Sequence, residues 1–266
     1  MADRNMLHMD IQGQGDTLVM LHGWGMHSGI WRDLAASLAG HFRVVCIDLP
    51  GHGRSPALCP LELQAVSQQI LSQVPYACHW LGWSLGASII MHLAALAPAQ
   101  VKSMGLVSAN PCFIRSEHWQ HGVDAQVFAT FAEELQLDYQ KTLRKFIALQ
   151  TLSSDAARVS LKELRDQLFE AGEPDTDALR QGLSILMHAD LRAAMQQNDH
   201  PCLVVLGERD QLVPASIAAF YQQLACAPQI EVCKGAGHAP FLSHPQQVAE
   251  VVTHFCSTYA DNTVYG

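Results

Sequence analysis

The pentapeptide Gly82-Trp83-Ser84-Leu85-Gly86 constrains this chain more than any other stretch. It follows an apolar, strand-like run, Cys78-His79-Trp80-Leu81, and opens a helical stretch that reaches about Ala97 and stops before Pro98. A serine at the tip of a tight strand-to-helix turn is held out toward substrate. The turn strains the backbone at Ser84, and glycines two residues to either side leave room for strand and helix to cross. The helix aims the free N–H groups of its first turn, that of Leu85 included, at the space beside the serine, where they suit developing negative charge. A small-residue turn without chemistry is the competing reading. The strand before the motif and the helix after it favour a nucleophile.

Short β-type runs alternate with helical patterns along much of the chain. Leu18–Leu21, Phe42–Ile47, Ser103–Val107, Cys202–Leu206 and Ile230–Cys233 read as strands. Helices are expected from about Ile30 to Leu38, Leu61 to Gln73 and Pro245 to Tyr259. This alternation implies α/β architecture, a mostly parallel central sheet with helices on both faces. From about Arg115 to Ala189 no strand-like run occurs. Apolar residues recur there at helical spacing, as in Val127, Phe131 and Leu135, in Leu143, Phe146 and Leu149, in Leu161, Leu164 and Leu168, and in Leu179, Leu183 and Leu186. The expected organisation is a core in two parts, residues 1–114 and 190–266, interrupted by a helical cap at 115–189.

A serine nucleophile needs a base and an orienting acid, and in this architecture they follow in the order Ser, Asp, His. Asp210 lies just past the strand at Cys202–Leu206, in Gly207-Glu208-Arg209-Asp210-Gln211. His238 lies just past the strand ending near Cys233, between Gly237 and Ala239. Both sit where open α/β sheets build their sites, on loops at the carboxyl ends of strands. Asp190 and Asp199 lie in or near helical segments and are weaker candidates for the acid. His22-Gly23-Trp24-Gly25 follows the first confident strand, so the Trp24 backbone N–H is the expected partner of the Leu85 N–H in an oxyanion hole. His22 precedes the nucleophile and reads as structural. Trp24, Trp83 and Phe146 either line an apolar slot for an acyl chain or are ordinary core aromatics.

Formal net charge is −9, so the average surface repels nucleic acid. Residues 1–10 carry no signal-peptide core, and no apolar run approaches the ~20 residues of a membrane span. The eight cysteines include no C-x-x-C pair and read as buried thiols in a reducing compartment. A soluble cytoplasmic protein with no membrane partner is expected. His118 and His121 have no further clustered ligands, so neither a metal nor a cofactor is expected.

A narrower resemblance covers nearly the whole chain. His22-Gly23-Trp24-Gly25, Asp48-Leu49-Pro50-Gly51-His52-Gly53-Arg54-Ser55 and Leu81-Gly82-Trp83-Ser84-Leu85-Gly86 match a family of esterases on the α/β-hydrolase fold. More specific are Pro111-Cys112-Phe113, Phe146-Ile147-Ala148-Leu149-Gln150-Thr151 and Gly237-His238-Ala239-Pro240-Phe241 with Ser243-His244-Pro245. The chain resembles the esterases of biotin synthesis that cleave the methyl ester of pimeloyl-acyl-carrier-protein. The resemblance implies a V-shaped helical cap, a pimeloyl methyl ester as substrate and an acyl carrier protein as partner. It also implies Trp24, Trp83, Phe146 and Gln150 as substrate-binding residues. Ala87 departs from it, since many relatives have a second glycine there.

Of only 16 Lys and Arg residues, six fall in one short part of the insertion: Lys141, Arg144, Lys145, Arg158, Lys162 and Arg165. Each trio has the spacing of one helix face. Either this is a solvated face paired with Glu163 and Asp166, or it is a docking surface for an acidic carrier, with Lys141, Lys145, Arg158 and Lys162 as contacts. Other readings stay open: a different small-ester hydrolase, a carbon–carbon bond hydrolase on the same scaffold, or a non-catalytic binding module.

Overall fold

The computed structural model describes residues 6–151 and 169–260, with residues 149–151 through their backbone only. Seven strands, β1 (Met9–Gln12), β2 (Thr17–Leu21), β3 (Arg43–Ile47), β4 (Cys78–Trp83), β5 (Val101–Val107), β6 (Cys202–Gly207) and β7 (Gln229–Cys233), form one sheet in the order β1-β3-β2-β4-β5-β6-β7. All neighbours are parallel except β1 and β3. Every residue of β4 and β6 is buried, which explains their continuous apolar lettering in place of alternation.

Helices α1 (Arg32–Leu38), α2 (Leu63–Gln73) and α3 (Leu85–Leu96) connect the first strands. The first begins as a 3₁₀ turn at Ser28–Trp31, because the His27 ring accepts the Gly29 N–H at 3.1 Å and starts the coil early. Strand β1 was not expected. It is an edge strand whose residues are mostly exposed, so it carries no apolar signature. Helices α4 (Ala125–Leu137), α5 (Tyr139–Thr151) and α6 (Thr176–His188) fall within the expected cap. The helix expected around Leu161, Leu164 and Leu168 lies outside the described residues. Helical structure in the insertion starts only at Ala125, behind an Asp124 cap that accepts the Gln126 N–H at 2.8 Å. Before it the chain makes a small bridged excursion, Ile114 with Val123 and Ser116 with Trp119, held by the Trp119 indole on the Cys112 carbonyl at 2.6 Å. Short helices α7 (Arg192–Gln196), α8 (Ala218–Tyr221) and α9 (Pro240–Ser243) precede the C-terminal α10 (Pro245–Thr258).

Helices α5 and α6 seat on the core through the loop after β2. Leu143 packs on Gly25, and Phe146 meets the Trp24 ring edge-on at 4.8 Å. The Trp24 indole donates to the Leu179 carbonyl at 2.7 Å, and the Asp175 N–H donates to Gly51 O at 2.8 Å. Among the described residues no helix is long and apolar enough to cross a membrane. The cysteines are all free thiols, but Cys59 is exposed before Pro60 and Cys112 and Cys226 are only partly buried, so the expectation of burial holds for the other five alone. Burial pushes the thiols of Cys46, Cys78 and Cys256 up to about 12.

Candidate active site

Strand β4 delivers Ser84 at its carboxyl end, and α3 starts one residue later. Ser84 has φ 54° and ψ −113°, a left-handed conformation that a serine adopts only under strain. Its N–H donates to Val107 O at 3.0 Å, and its carbonyl accepts the Ala87 and Ser88 N–H groups. The turn closes tightly enough that a Cβ at Gly86 would overlap Leu21 O, and one at Gly82 would overlap the Gly86 backbone. Leu85 is the first residue of α3, so the helix itself leaves its N–H unclaimed.

Asp210 and His238 come together as expected from their loops. The carboxylate Oδ1 accepts the Leu212 and Val213 N–H groups at 2.8 and 2.9 Å, which orients Oδ2. Oδ2 lies 2.7 Å from His238 Nδ1, and both side chains are wholly buried. An ionised carboxylate only accepts, so His238 donates from Nδ1 and turns an Nε2 lone pair the other way. Nε2 is buried and has no hydrogen-bond partner; Ser84 Oγ does not bond to it in this arrangement. Such contacts often close only when substrate is bound.

The two loops are fastened to each other. Arg209 N–H donates to Ala236 O at 2.9 Å, and Gly235 N–H donates to the Glu208 carboxylate at 2.8 Å. Gly207 lies so close to the Gly237 carbonyl that a Cβ would overlap it. Trp83 fixes the histidine loop from below: its indole N–H donates to His238 O at 2.8 Å, and its ring packs against Phe241 at 5.2 Å. Asp190, the alternative acid, instead pairs with Arg192 at 2.6 Å.

The Trp24 loop is held by a histidine that sequence reading left without partners. His22 Nδ1 donates to Gly23 O at 2.8 Å, and Nε2 accepts the Leu49 N–H at 2.9 Å. One tautomer satisfies both bonds, so the ring stays neutral. Burial and the neighbouring His52 lower its pKa to about 3. Asp48, also buried, takes the Ser28 and Arg54 N–H groups on its two oxygens at 2.6 and 2.9 Å. The His22–Leu49 and Asp48–Ser28 bonds join separate loops, so no local pattern reports them.

Of the other expected residues, Trp24 and Phe146 meet where the loop after β2 packs on α5, both buried. Trp83 is wholly buried, its polar edge committed to the His238 carbonyl. The Gln150 side chain, Arg158 and Lys162 lie outside the described residues. Lys141 is exposed on α5. Lys145 pairs with Glu134 at 2.6 Å and lies over the Phe131 ring. Ser84 is only 3% exposed.

Residues 18–251 match the alpha/beta hydrolase family. The chain belongs to the α/β-hydrolase family. Within it, the chain is similar to the pimeloyl-[acyl-carrier protein] methyl ester esterase of Xanthomonas oryzae pv. oryzae (strain MAFF 311018), at 42% identity over 95% of this chain and 99% of that protein. The protein of the same name from Xylella fastidiosa (strain 9a5c) is 41% identical over the same shares. Among solved structures, an esterase from Exiguobacterium antarcticum superposes with a TM-score of 0.83 at 19% identity, covering 94% of this chain and 95% of that one. A bromoperoxidase from Bacillus anthracis gives 0.84 at 19% identity over the same shares. At such identity these two speak for the fold alone.

Proposed function

We propose that this chain hydrolyses the methyl ester of pimeloyl-[acyl-carrier protein], releasing methanol and freeing the pimeloyl carboxylate. The observation that carries this reading is 42% identity to an esterase of that name along 95% of the chain. The buried Asp210–His238 pair, on a loop tied to the end of β4 by the Trp83 indole, supports a mechanism for it.

In that mechanism Ser84 Oγ attacks the ester carbonyl carbon while His238 Nε2 takes its proton. Asp210 holds the tautomer and stabilises the imidazolium. The Leu85 and Trp24 N–H groups receive the oxyanion. As the tetrahedral intermediate collapses, Nε2 gives its proton to the departing methoxide, and methanol leaves. Water then attacks the acyl-enzyme, giving its proton to Nε2, and the second collapse returns Ser84 and the carboxylate. Trp24 and Phe146, meeting edge-on, border the acyl chain in this reading, with Gln150 beside them. Residues 115–189 act as the cap, and Lys141, Lys145, Arg158 and Lys162 receive the carrier.

Purified protein offered the pimeloyl-carrier methyl ester and small free methyl esters tests the assignment. The carrier-bound ester should give the higher kcat/KM, and Ser84→Ala should remove several orders of magnitude from both rates while leaving the fold intact. Equal kcat/KM on all esters would reduce the enzyme to a general carboxylesterase. Near-full activity in Ser84→Ala would remove the serine mechanism.

A further inference from the structure

Leu137 ends α4 with 87% of its surface exposed, more than any other large apolar residue described. Nothing in the fold calls for leucine there. The chain reverses at Asp138, whose carboxylate accepts the Lys141 N–H at 3.0 Å, and a polar residue before it would serve that turn equally well. A single exposed leucine is ordinary on a protein surface. This one is not isolated. It borders a cleft of ≈ 580 Å³ between the α4–α5 turn and the start of α6, whose walls include Leu135, Tyr139, Thr176 and Arg180.

The second observation is charge. Four residues beyond Leu137, α5 turns outward a face of Lys141, Arg144 and Lys145, while Leu143, Phe146 and Ile147 point inward. Lys145 is engaged by Glu134, and Arg180 at the cleft by Asp177. Among the described residues Lys141 and Arg144 make no ion pair; Arg144 rests over the Phe169 ring at 5.6 Å. On a chain of net charge −9 this is an apolar spot with a cationic flank on its α5 side, while Asp138 and Asp177 are among the residues that line the cleft. Interfaces have this anatomy, an apolar centre that excludes water and a charged border that orients the partner.

We infer that the α4–α5 turn is an apolar anchor for the carrier protein, with Leu137 packing against an apolar residue of the carrier that is bordered by carboxylates. The inference rests on the reading that a carrier delivers the ester, and it adds a contact that charge alone does not supply. Attraction between exposed charges fades as salt shortens the screening length from about 10 Å at 0.1 M to about 3 Å at 1 M. An apolar anchor does not fade in that way.

Steady-state kinetics on the pimeloyl-carrier methyl ester and on a small free methyl ester test it, using the full chain at low and high salt. Leu137→Asp should raise KM for the carrier ester about tenfold, as loss of one buried leucine contact predicts, and Leu137→Ala should raise it by less. The Leu137→Ala ratio to wild type should persist at high salt, whereas a Lys141→Glu deficit should shrink. Hydrolysis of the free ester should change less than twofold in the Leu137 variants. If Leu137 variants match wild type on the carrier ester while Lys141→Glu is impaired, the anchor is wrong and the carrier reading survives. If wild type itself shows no preference for the carrier ester, the reading falls and the anchor with it. Equal losses on both esters would make Leu137 a support of the cap and overturn the inference. So would a concentration-dependent dimer in sedimentation that Leu137→Asp abolishes, since the occupant would then be a second copy of the chain.

Discussion

The indole N–H of Trp83 donates to the backbone carbonyl of His238 at 2.8 Å, so the residue before the proposed nucleophile holds the loop of the proposed base. Both side chains are wholly buried, and their rings lie 5.8 Å apart. The bond ties the end of β4 to a loop that follows β7 and is otherwise fastened to the Asp210 loop. A shift of the His238 backbone away from β4 has to break it.

Trp83→Phe keeps most of the packing and removes the donor, leaving a buried carbonyl unsatisfied. The expected cost is about 1–3 kcal/mol of stability. In ester hydrolysis kcat should fall about tenfold with KM little changed, because a misplaced base harms the chemical step more than binding. An unchanged kcat in a folded variant would show that the loop stays in place without this bond.

Asp210→Asn keeps an oxygen for the Leu212 and Val213 N–H groups, so the side chain should remain where it is. The amide NH₂ then faces His238 Nδ1 and favours the tautomer with its proton on Nε2. By analogy with other triads, kcat should fall roughly 10⁴-fold with the fold retained. If Asp210→Asn proves mild, the carboxylate is not the orienting group, and Asp190→Asn and Asp199→Asn measured alongside would show whether another acid takes its place.

What could be read in advance was whatever is encoded locally. The elbow is five contiguous residues, and Asp210 and His238 each sit a few residues past a buried strand, so position along the chain reports position in the sheet. Strand β1 escaped because Met9-Asp10-Ile11-Gln12 lies on an edge with both faces largely wet, and its pairing with β3 depends on distant residues, from Val44 to Ile47. The role of Trp83 escaped for the same reason: an apolar strand residue looks the same whether its indole meets substrate or a carbonyl 155 residues further on. His22 was read correctly as structural, but its partner, Leu49, belongs to another loop.

That histidine sets a pH dependence. Burial and then His52 hold His22 at about 3, and burial lowers His52 as well. An unfolded histidine takes its proton near pH 6.5, so between about 6.5 and 3 the unfolded state binds more protons and stability falls as pH falls. The slope approaches about 1.4 kcal/mol per pH unit for each such histidine. Asp48 acts in the same direction at lower pH. Burial pushes its carboxyl up, but His22 and the Arg54 and Ser28 N–H groups outweigh that and hold it below the usual value, so its contribution is lost on acidification. Melting temperatures of wild type and His22→Asn from pH 7.5 to 4.5 test this. The variant should melt lower at pH 7.5 but lose less on acidification, and parallel curves would clear His22 of the effect.

Ser108 follows Val107 on β5 as Ser84 follows Trp83 on β4, and those two strand residues are register partners. Ser108 also has positive φ, 45°, and its hydroxyl is buried without a hydrogen-bond partner. Ser108→Ala should therefore stabilise the protein by about 1 kcal/mol, or roughly 2 °C in Tm. Calorimetry showing a loss instead would mean that the hydroxyl has a partner in solution.

The cations of α5 differ in what they are free to do. Lys145 already pairs with Glu134 and covers Phe131, so Lys145→Glu would set two carboxylates together and strip the ring. Losses in that variant would mix docking with damage to the α4–α5 packing. Lys141 is exposed on the same face and makes no ion pair among the described residues, so Lys141→Glu isolates charge from packing. Exposed charges act mainly on association, and lysine, a compact point charge, leaves such contacts open to screening. Combined with Arg158→Glu, Lys141→Glu should raise KM for the carrier-bound ester several-fold at low salt, with kcat little altered and the difference narrowing as salt rises. The free ester should be hydrolysed as by wild type, since it has no carrier to lose. A deficit of the same size on both esters, or one that ignores salt, would mean that these residues maintain the cap and that the carrier docks elsewhere.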